Sequence, residues 1–343
     1  MGEFMSENKG PRIVAELSGN HDGSLSRALM LCDLAIENGA DAIKIQTYDE
    51  NSLTIDSSRS EFMLKDGLWK GQTYYELYKK AKTPREWLPE LFSYARNRNF
   101  TLFSSPFSEY DVEALEKVEC PIYKIASFEL NYLDLIATCA NTKKPLIMST
   151  GLSTLDEVER AVDTAYKYGC TDLTLLHCES RYPAEPRFFN LNTIVFFKEY
   201  FKCKVGLSNH ALGDELDIAA TALGASLIEK HFTDDRTKNS VDAAFSMEPC
   251  DLRKLKKDTQ IIAQSLGVKG VRVLEEDIPL RMGRRSVYLV KDLKEGEILT
   301  KKHVKVIRPA LGLEPYRIQE VLGKKAKYSL KAPIPLSSCD FTN

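Results

Sequence analysis

Eight short apolar, β-branched runs, each followed by a charged or amphipathic stretch, recur along the 343-residue chain, at residues 13–17, 42–46, 101–105, 122–126, 145–149, 173–177, 204–208 and 226–231. Helical periodicity fills the intervals, most plainly at 26–38, 111–117, 154–168 and 214–223. Strands that alternate with helices must lie parallel, because only a crossover can return the chain to the same sheet edge. Eight such units in about 250 residues predict a (β/α)8 (TIM) barrel. A doubly wound sheet is the competitor, but it has no need of eight repeats and carries a GxGxxG turn after its first strand, which is missing here. The barrel should span residues 11–266, an arm 267–284, and a small β-rich domain 285–343 with short strands at 285–290, 296–299, 304–307 and 323–330. Some sixty residues are marginal as a free-standing fold, so the small domain is expected to dock on something.

Charge narrows the partners. Lys plus Arg number 47 against 49 Asp plus Glu, a formal charge of -2, so no basic field recruits nucleic acid or anionic membrane, and any anion site must be local. The 43% hydrophobic content excludes disordered and fibrous chains. Eight cysteines lack CxxC spacing, and neither a signal peptide nor a membrane-spanning run is evident, which implies reduced thiols in the cytoplasm. Residues 1–5 read as an expression leader before a start at Met5.

Barrel chemistry gathers on the C-terminal ends of the strands. Two of those ends, 206–210 (GLSNH) and 228–232 (IEKHF), carry His210 and His231 one strand-helix unit apart. Neutral imidazole is the commonest protein ligand for a metal, and two on adjacent strand ends face one mouth. Alone, His210 is better read as a turn cap and His231 as a satisfied core residue; together the pair favours a metal. Lys44 and Lys124 each stand inside an apolar strand, costly unless a negative charge is met. With nearby serine and threonine hydroxyls they suit a carboxylate-plus-phosphate clamp; the plainer alternative pairs them with an interior glutamate, Glu16 or Glu229. The connection at 49–82 is far longer than the others and holds Trp69, Tyr74 and Tyr75, as a specificity lid or a self-packed surface excursion would.

The segments 15–23 (AELSGNHDG), 39–46 (GADAIKIQ), 123–127 (YKIAS), 148–151 (MSTG), 207–210 (LSNH) and 229–232 (EKHF) resemble the sialic acid synthase family, and 294–297 with 307–309 resemble its antifreeze-like (SAF) domain. The likeness runs from about residue 11 to the end; the second loop, at 44–54, 67–69 and 82–84, is most similar to the pseudaminic acid synthase branch. It implies a metal-dependent condensation of phosphoenolpyruvate with the open-chain aldehyde of an acetamido sugar, a 2,4-diacetamido-2,4,6-trideoxy-altropyranose, giving a nonulosonic acid and phosphate. Legionaminate-type and mannosamine-derived substrates stay open.

By the same resemblance, His210 and His231 would hold Mn²⁺, with Mg²⁺ or Co²⁺ as alternatives, polarising the aldehyde. Lys44, Ser105, Lys124, Ser127, Ser149, Ser180, Tyr182 and Ser208 match phosphoenolpyruvate-binding positions, and Glu16, Gln46, Glu129 and Asp242 match positions around the metal, water and sugar. Arg308 matches an arginine supplied by a partner chain, implying a domain-swapped homodimer. Asn209 stands where most relatives have Asp, removing a negative charge beside a metal ligand, and Ser180 where neuraminate enzymes often have Asn. Two other classes remain: an aldolase or lyase using Lys124 as a Schiff-base nucleophile, and a non-catalytic sugar-binding protein.

Overall fold

The computed structural model describes residues 10–238 and 240–342; the leader at 1–5 lies outside them. Eight parallel strands close into a barrel in chain order: β1 (Arg12–Glu16), β2 (Ala42–Thr47), β3 (Thr101–Pro106), β4 (Tyr123–Ile125), β5 (Leu146–Ser149), β6 (Leu173–Cys178), β7 (Lys204–Ser208) and β8 (Leu227–His231). Helices follow as α1 (Leu25–Glu37), α2 (Glu50–Leu53), α3 (Tyr74–Ala81), α4 (Leu88–Asn97), α5 (Glu109–Lys117), α6 (Leu133–Asn141), α7 (Leu155–Lys167), α8 (Asn192–Phe201), α9 (Glu215–Ala222) and α10 (Pro249–Leu266). The expected (β/α)8 barrel is therefore present. Its helices form for local reasons. In α7, Val158, Ala161, Val162 and Ala165 make one buried stripe at helical spacing, while Thr154 and Glu157 close a capping box at its start.

Register aligns the functional strand ends. Glu16 pairs with Lys44 on one side and His231 on the other. Gln46 lies opposite Ser105, and Ser208 lies between Cys178 and Glu229. Strand alternation then decides which of two neighbours faces inward. Ser105 Oγ meets Lys44 inside the barrel, whereas Ser104 Oγ bonds Thr47 Oγ1 at 2.7 Å and the Ile45 carbonyl at 3.1 Å. Gly206 allows β7 and β8 to close on each other; a Cβ there would lie 2.2 Å from the Leu227 carbonyl oxygen.

The long second connection is built rather than loose. It holds α2, a 3-10 turn (Ser60–Phe62), a bridge between Met63 and Thr73, and α3, which Thr73 and Glu76 close with a capping box.

The chain divides after Gly267 into two compact units. In the second, β9 (Ser286–Leu289) lies between β10 (Val304–Ile307) and β11 (Ile334–Pro335) in an antiparallel sheet over Val287, Leu289, Leu293, Leu299, Leu336 and Phe341. Two expected strands, 296–299 and 323–330, are instead isolated bridges, Ile298 to Lys325, Ala326 to Phe341 and Leu293 to Leu330. Gly296 and Gly323, both at positive φ, turn the chain before a ladder can extend. Ser286 Oγ donates to the Pro309 carbonyl at 2.8 Å and accepts from Gly312 N–H at 3.0 Å, fixing the turn that displays the exposed Arg308.

Candidate active site

Four charged side chains interlock at the C-terminal end of the barrel interior. Lys44 Nζ lies 2.5 Å from Glu16 Oε2, 3.6 Å from Glu229 Oε1 and 3.3 Å from Ser105 Oγ. Lys124 Nζ reaches the same Glu229 oxygen at 3.3 Å, and Ser208 Oγ does so at 3.4 Å. All four charged residues are buried. The plainer alternative for the lysines is thus realised in part: each has an interior carboxylate partner. Burial opposes ionisation of Glu229, yet the two ammonium groups hold its carboxyl below the usual range. Burial pushes Lys124 below the ordinary lysine range against the pull of Glu229, and Glu16 is raised, chiefly by burial.

His210 and His231 stand beside this quartet, their ring centroids 5.4 Å apart. His210 Nδ1 lies 2.8 Å from the Glu179 carbonyl; donating there, it leaves the Nε2 lone pair free to coordinate. His231 Nδ1 is buried without a hydrogen-bond partner and lies 3.9 Å from Asp242 Oδ2. Burial first, then the positive charges around it, hold His231 well below the usual histidine range, so its ring is a neutral donor. Tyr182 lies tilted over His210, ring centroids 4.2 Å apart, and Phe245 meets His231 edge to face at 4.9 Å. Trp69, from the second connection, packs against Tyr182 at 5.8 Å and donates its indole N–H to the Val241 carbonyl at 3.0 Å, so that connection belongs to the rim.

A third group surrounds Gly151. Its N–H donates to Ser127 Oγ at 3.1 Å, and a Cβ on it would fall 2.1 Å from Ser180 Oγ. Ser149 Oγ and Glu129 Oε2 are buried without hydrogen-bond partners. Burial raises the Glu129 carboxyl to about 7 against the lowering charge of Lys124. Gln46 donates to Ser18 Oγ at 3.1 Å, and Asp242 accepts from Gly19 N–H at 3.2 Å. Burial raises Asp242, partly offset by the Ser18 and Gly19 bonds.

Some polar strand ends lie elsewhere. His21 packs edge-on against Trp87, and His177 bonds the Phe189 carbonyl. Asn209 turns its amide to Asp217 at 2.7 Å, away from the imidazole pair, so the charge missing there is not one that faces the histidines. Cys178 was not legible as a site residue: its Sγ lies 3.7 Å from Ser180 Oγ and 4.0 Å from His210 Nδ1. Its pairing with Ser208 in register is the signal, and register needs the closed barrel. Among the described residues, the clustered trio of possible metal ligands is Glu248, Cys250 and Asp251, of which Glu248 and Asp251 already pair with Arg236.

A (β/α)8 barrel with buried ammonium, imidazole and carboxyl groups at its C-terminal mouth is the architecture of a barrel enzyme. The chain belongs to the NeuB family, which it matches over residues 31–270, and residues 284–337 match the SAF domain. It is 43% identical over 334 residues to the pseudaminic acid synthase of Helicobacter pylori, covering 96% of this chain and 97% of that one. It is 41% identical to the pseudaminic acid synthase of Campylobacter jejuni, covering 99% of each. The N,N'-diacetyllegionaminic acid synthase of Campylobacter jejuni is 33% identical, over 93% of this chain and 96% of its own. Among solved structures, the N-acetylneuraminic acid (sialic acid) synthetase of Leptospira borgpetersenii superposes with a TM-score of 0.71 at 30% identity, covering 80% of this chain and 90% of that one.

Proposed function

We propose that the chain condenses phosphoenolpyruvate with 2,4-diacetamido-2,4,6-trideoxy-altropyranose in its aldehyde form, giving pseudaminic acid and inorganic phosphate. The names of the relatives at 41–43% identity support this acceptor over the legionaminate and neuraminate precursors. The observation that carries the chemistry is a set of buried polar atoms left unpaired around the lysines: Glu129 Oε2, Ser149 Oγ, Glu229 Oε2 and His231 Nδ1. Such atoms cost free energy unless a ligand completes them.

Lys44 and Lys124 would grip the phosphate and carboxylate, with Ser105, Ser127, Ser149, Ser180, Tyr182 and Ser208 as hydroxyl donors. Because Glu16 and Glu229 already face the two ammonium groups, a multiply anionic substrate would leave the pocket with excess negative charge. A divalent cation on the imidazole nitrogens of His210 and His231 would offset it, and few protein ligands leave coordination positions open. Mn²⁺ is the proposed ion, with Mg²⁺ or Co²⁺ as substitutes; when bound it supplies Lewis-acid polarisation of the sugar aldehyde. Glu129, with a carboxyl near neutrality, is suited to carry a proton, while Glu16, Gln46 and Asp242 orient sugar hydroxyls and water. Arg308 is proposed to reach the sugar's acetamido end from a partner chain, in a homodimer acting in the reducing cytoplasm, where the eight unpaired cysteines are at home. Among the described residues no helix is long and apolar enough to cross a membrane.

The lowered Lys124 favours one other reading, a Schiff-base lyase on the same barrel. Borohydride trapping with substrate separates the two: the condensing enzyme forms no lysine adduct and loses phosphate release on chelation, whereas an adduct with chelator-insensitive turnover supports the lyase.

A further inference from the structure

His210 and His231 point into the mouth, and the residue before each points outward to one shared partner. Asn209 Nδ2 donates to Asp217 Oδ1 at 2.7 Å, and Lys230 Nζ lies 3.1 Å from Asp217 Oδ2. Asp217, on α9, is fully buried. The other groups of this trio are also used. Asn209 Oδ1 accepts from Ala211 N–H at 2.8 Å, and Lys230 donates to the Ala211 and Gly213 carbonyls at 2.9 and 3.0 Å. A backbone bond from Asn209 N–H to the Glu229 carbonyl, 2.9 Å, stitches the same turn to β8.

We propose that Asn209, Asp217 and Lys230 are positioning residues that fix the separation of the two imidazoles, and with it the affinity for a divalent cation. The proposal rests on His210 and His231 being the metal ligands. Its logic is one of charge and donor count. One carboxylate faces one ammonium and one amide in a buried layer between β7, β8 and α9: its Oδ1 takes the amide hydrogen bond, and its Oδ2, which has no hydrogen-bond partner, is left to the ammonium as an ion pair, so the charges balance in a single arrangement. The identity of residue 209 follows: an aspartate would bring a second carboxylate against Asp217 with one ammonium to share, and the turn carrying His210 would have to open.

The test is titration of Mn²⁺ into the full-length protein by calorimetry, without substrates, for wild type, His231→Ala, Asn209→Asp, Asp217→Asn and the exchanged pair Asn209→Asp/Asp217→Asn, with folding checked by thermal melts in chelator. Each single network variant should lose about tenfold to a hundredfold in Mn²⁺ affinity while remaining folded. The exchanged pair, which restores one carboxylate and one amide, should recover most of that loss. Folded Asn209→Asp and Asp217→Asn proteins that bind Mn²⁺ within twofold of wild type would overturn the proposal, as would a pair whose losses simply add. If His231→Ala also binds like wild type, the ligand assignment itself has failed; if it alone loses the metal, only the positioning role has.

Discussion

Individual side chains carry the sharpest tests. His231→Ala should abolish turnover and Mn²⁺-dependent thermal stabilisation together; retention of both in a melt and a phosphate assay would remove His231 from the ligand set. Glu129 offers a pH signature in the ligand-free protein. Burial raises its carboxyl to about 7, so the folded state holds this proton more tightly than the unfolded chain. That contribution is fully present below the ordinary carboxylate pKa and is lost as pH rises toward 7. Glu129→Gln should therefore stabilise the protein at pH 8, by about 2 kcal/mol, and change little at pH 5. Equal shifts in the thermal midpoint at both pH values would contradict this. The lysines and histidines were legible in the sequence because a charge inside an apolar strand demands an explanation. Their glutamate partners were legible only as alternatives, since residues as far apart as Lys124 and Glu229 meet only after the barrel closes. The orientation of Asn209 was not legible, because it depends on Asp217 one helix away.

Elements set the tolerances of the site. The turn after β5 brings Gly151 against Ser127 and Ser180, so Gly151→Ala must displace one or both hydroxyls. We expect a folded protein whose KM for phosphoenolpyruvate rises about tenfold or more; unchanged kinetics would mean these serines do not contact that substrate. Trp69→Ala should detach the second connection from the β8 loop, raising KM for the sugar more than for phosphoenolpyruvate, as steady-state kinetics would show. A larger effect on phosphoenolpyruvate would move Trp69 out of the sugar side. The strands were readable to within a residue or two because eight apolar runs repeat the same signal. The second unit was not, since Gly296 and Gly323 leave bridges where the apolar pattern alone suggests continuous strands. The role of the second connection was undecidable from composition, because its aromatics would look the same whether they pack on one another or, as Trp69 does, on the rim.

For the whole molecule, the proposed homodimer makes a distinctive forecast. Arg308→Ala should weaken sugar affinity and leave phosphoenolpyruvate binding intact. If Arg308 acts across chains, co-refolding it with His231→Ala should restore roughly a quarter of wild-type activity at low sugar concentration, since a mixed dimer keeps one complete site. No recovery would place Arg308 within its own chain or outside the site. Neither the pairing of chains nor the docking of the small domain can be read from local patterns, which report what a segment buries but not against which copy. The central claim, a cation-dependent condensing site for a three-carbon phosphorylated acid and an acetamido sugar, is tested most directly by mass spectrometry. Phosphoenolpyruvate, Mn²⁺ and a panel of acetamido sugars would be incubated with the enzyme, with and without chelator. The account predicts a nonulosonic acid formed fastest from the 2,4-diacetamido-trideoxy-altrose, one phosphate released per product, and none of either with chelator. Product that persists with chelator, or no condensation with any sugar of the panel, would contradict it.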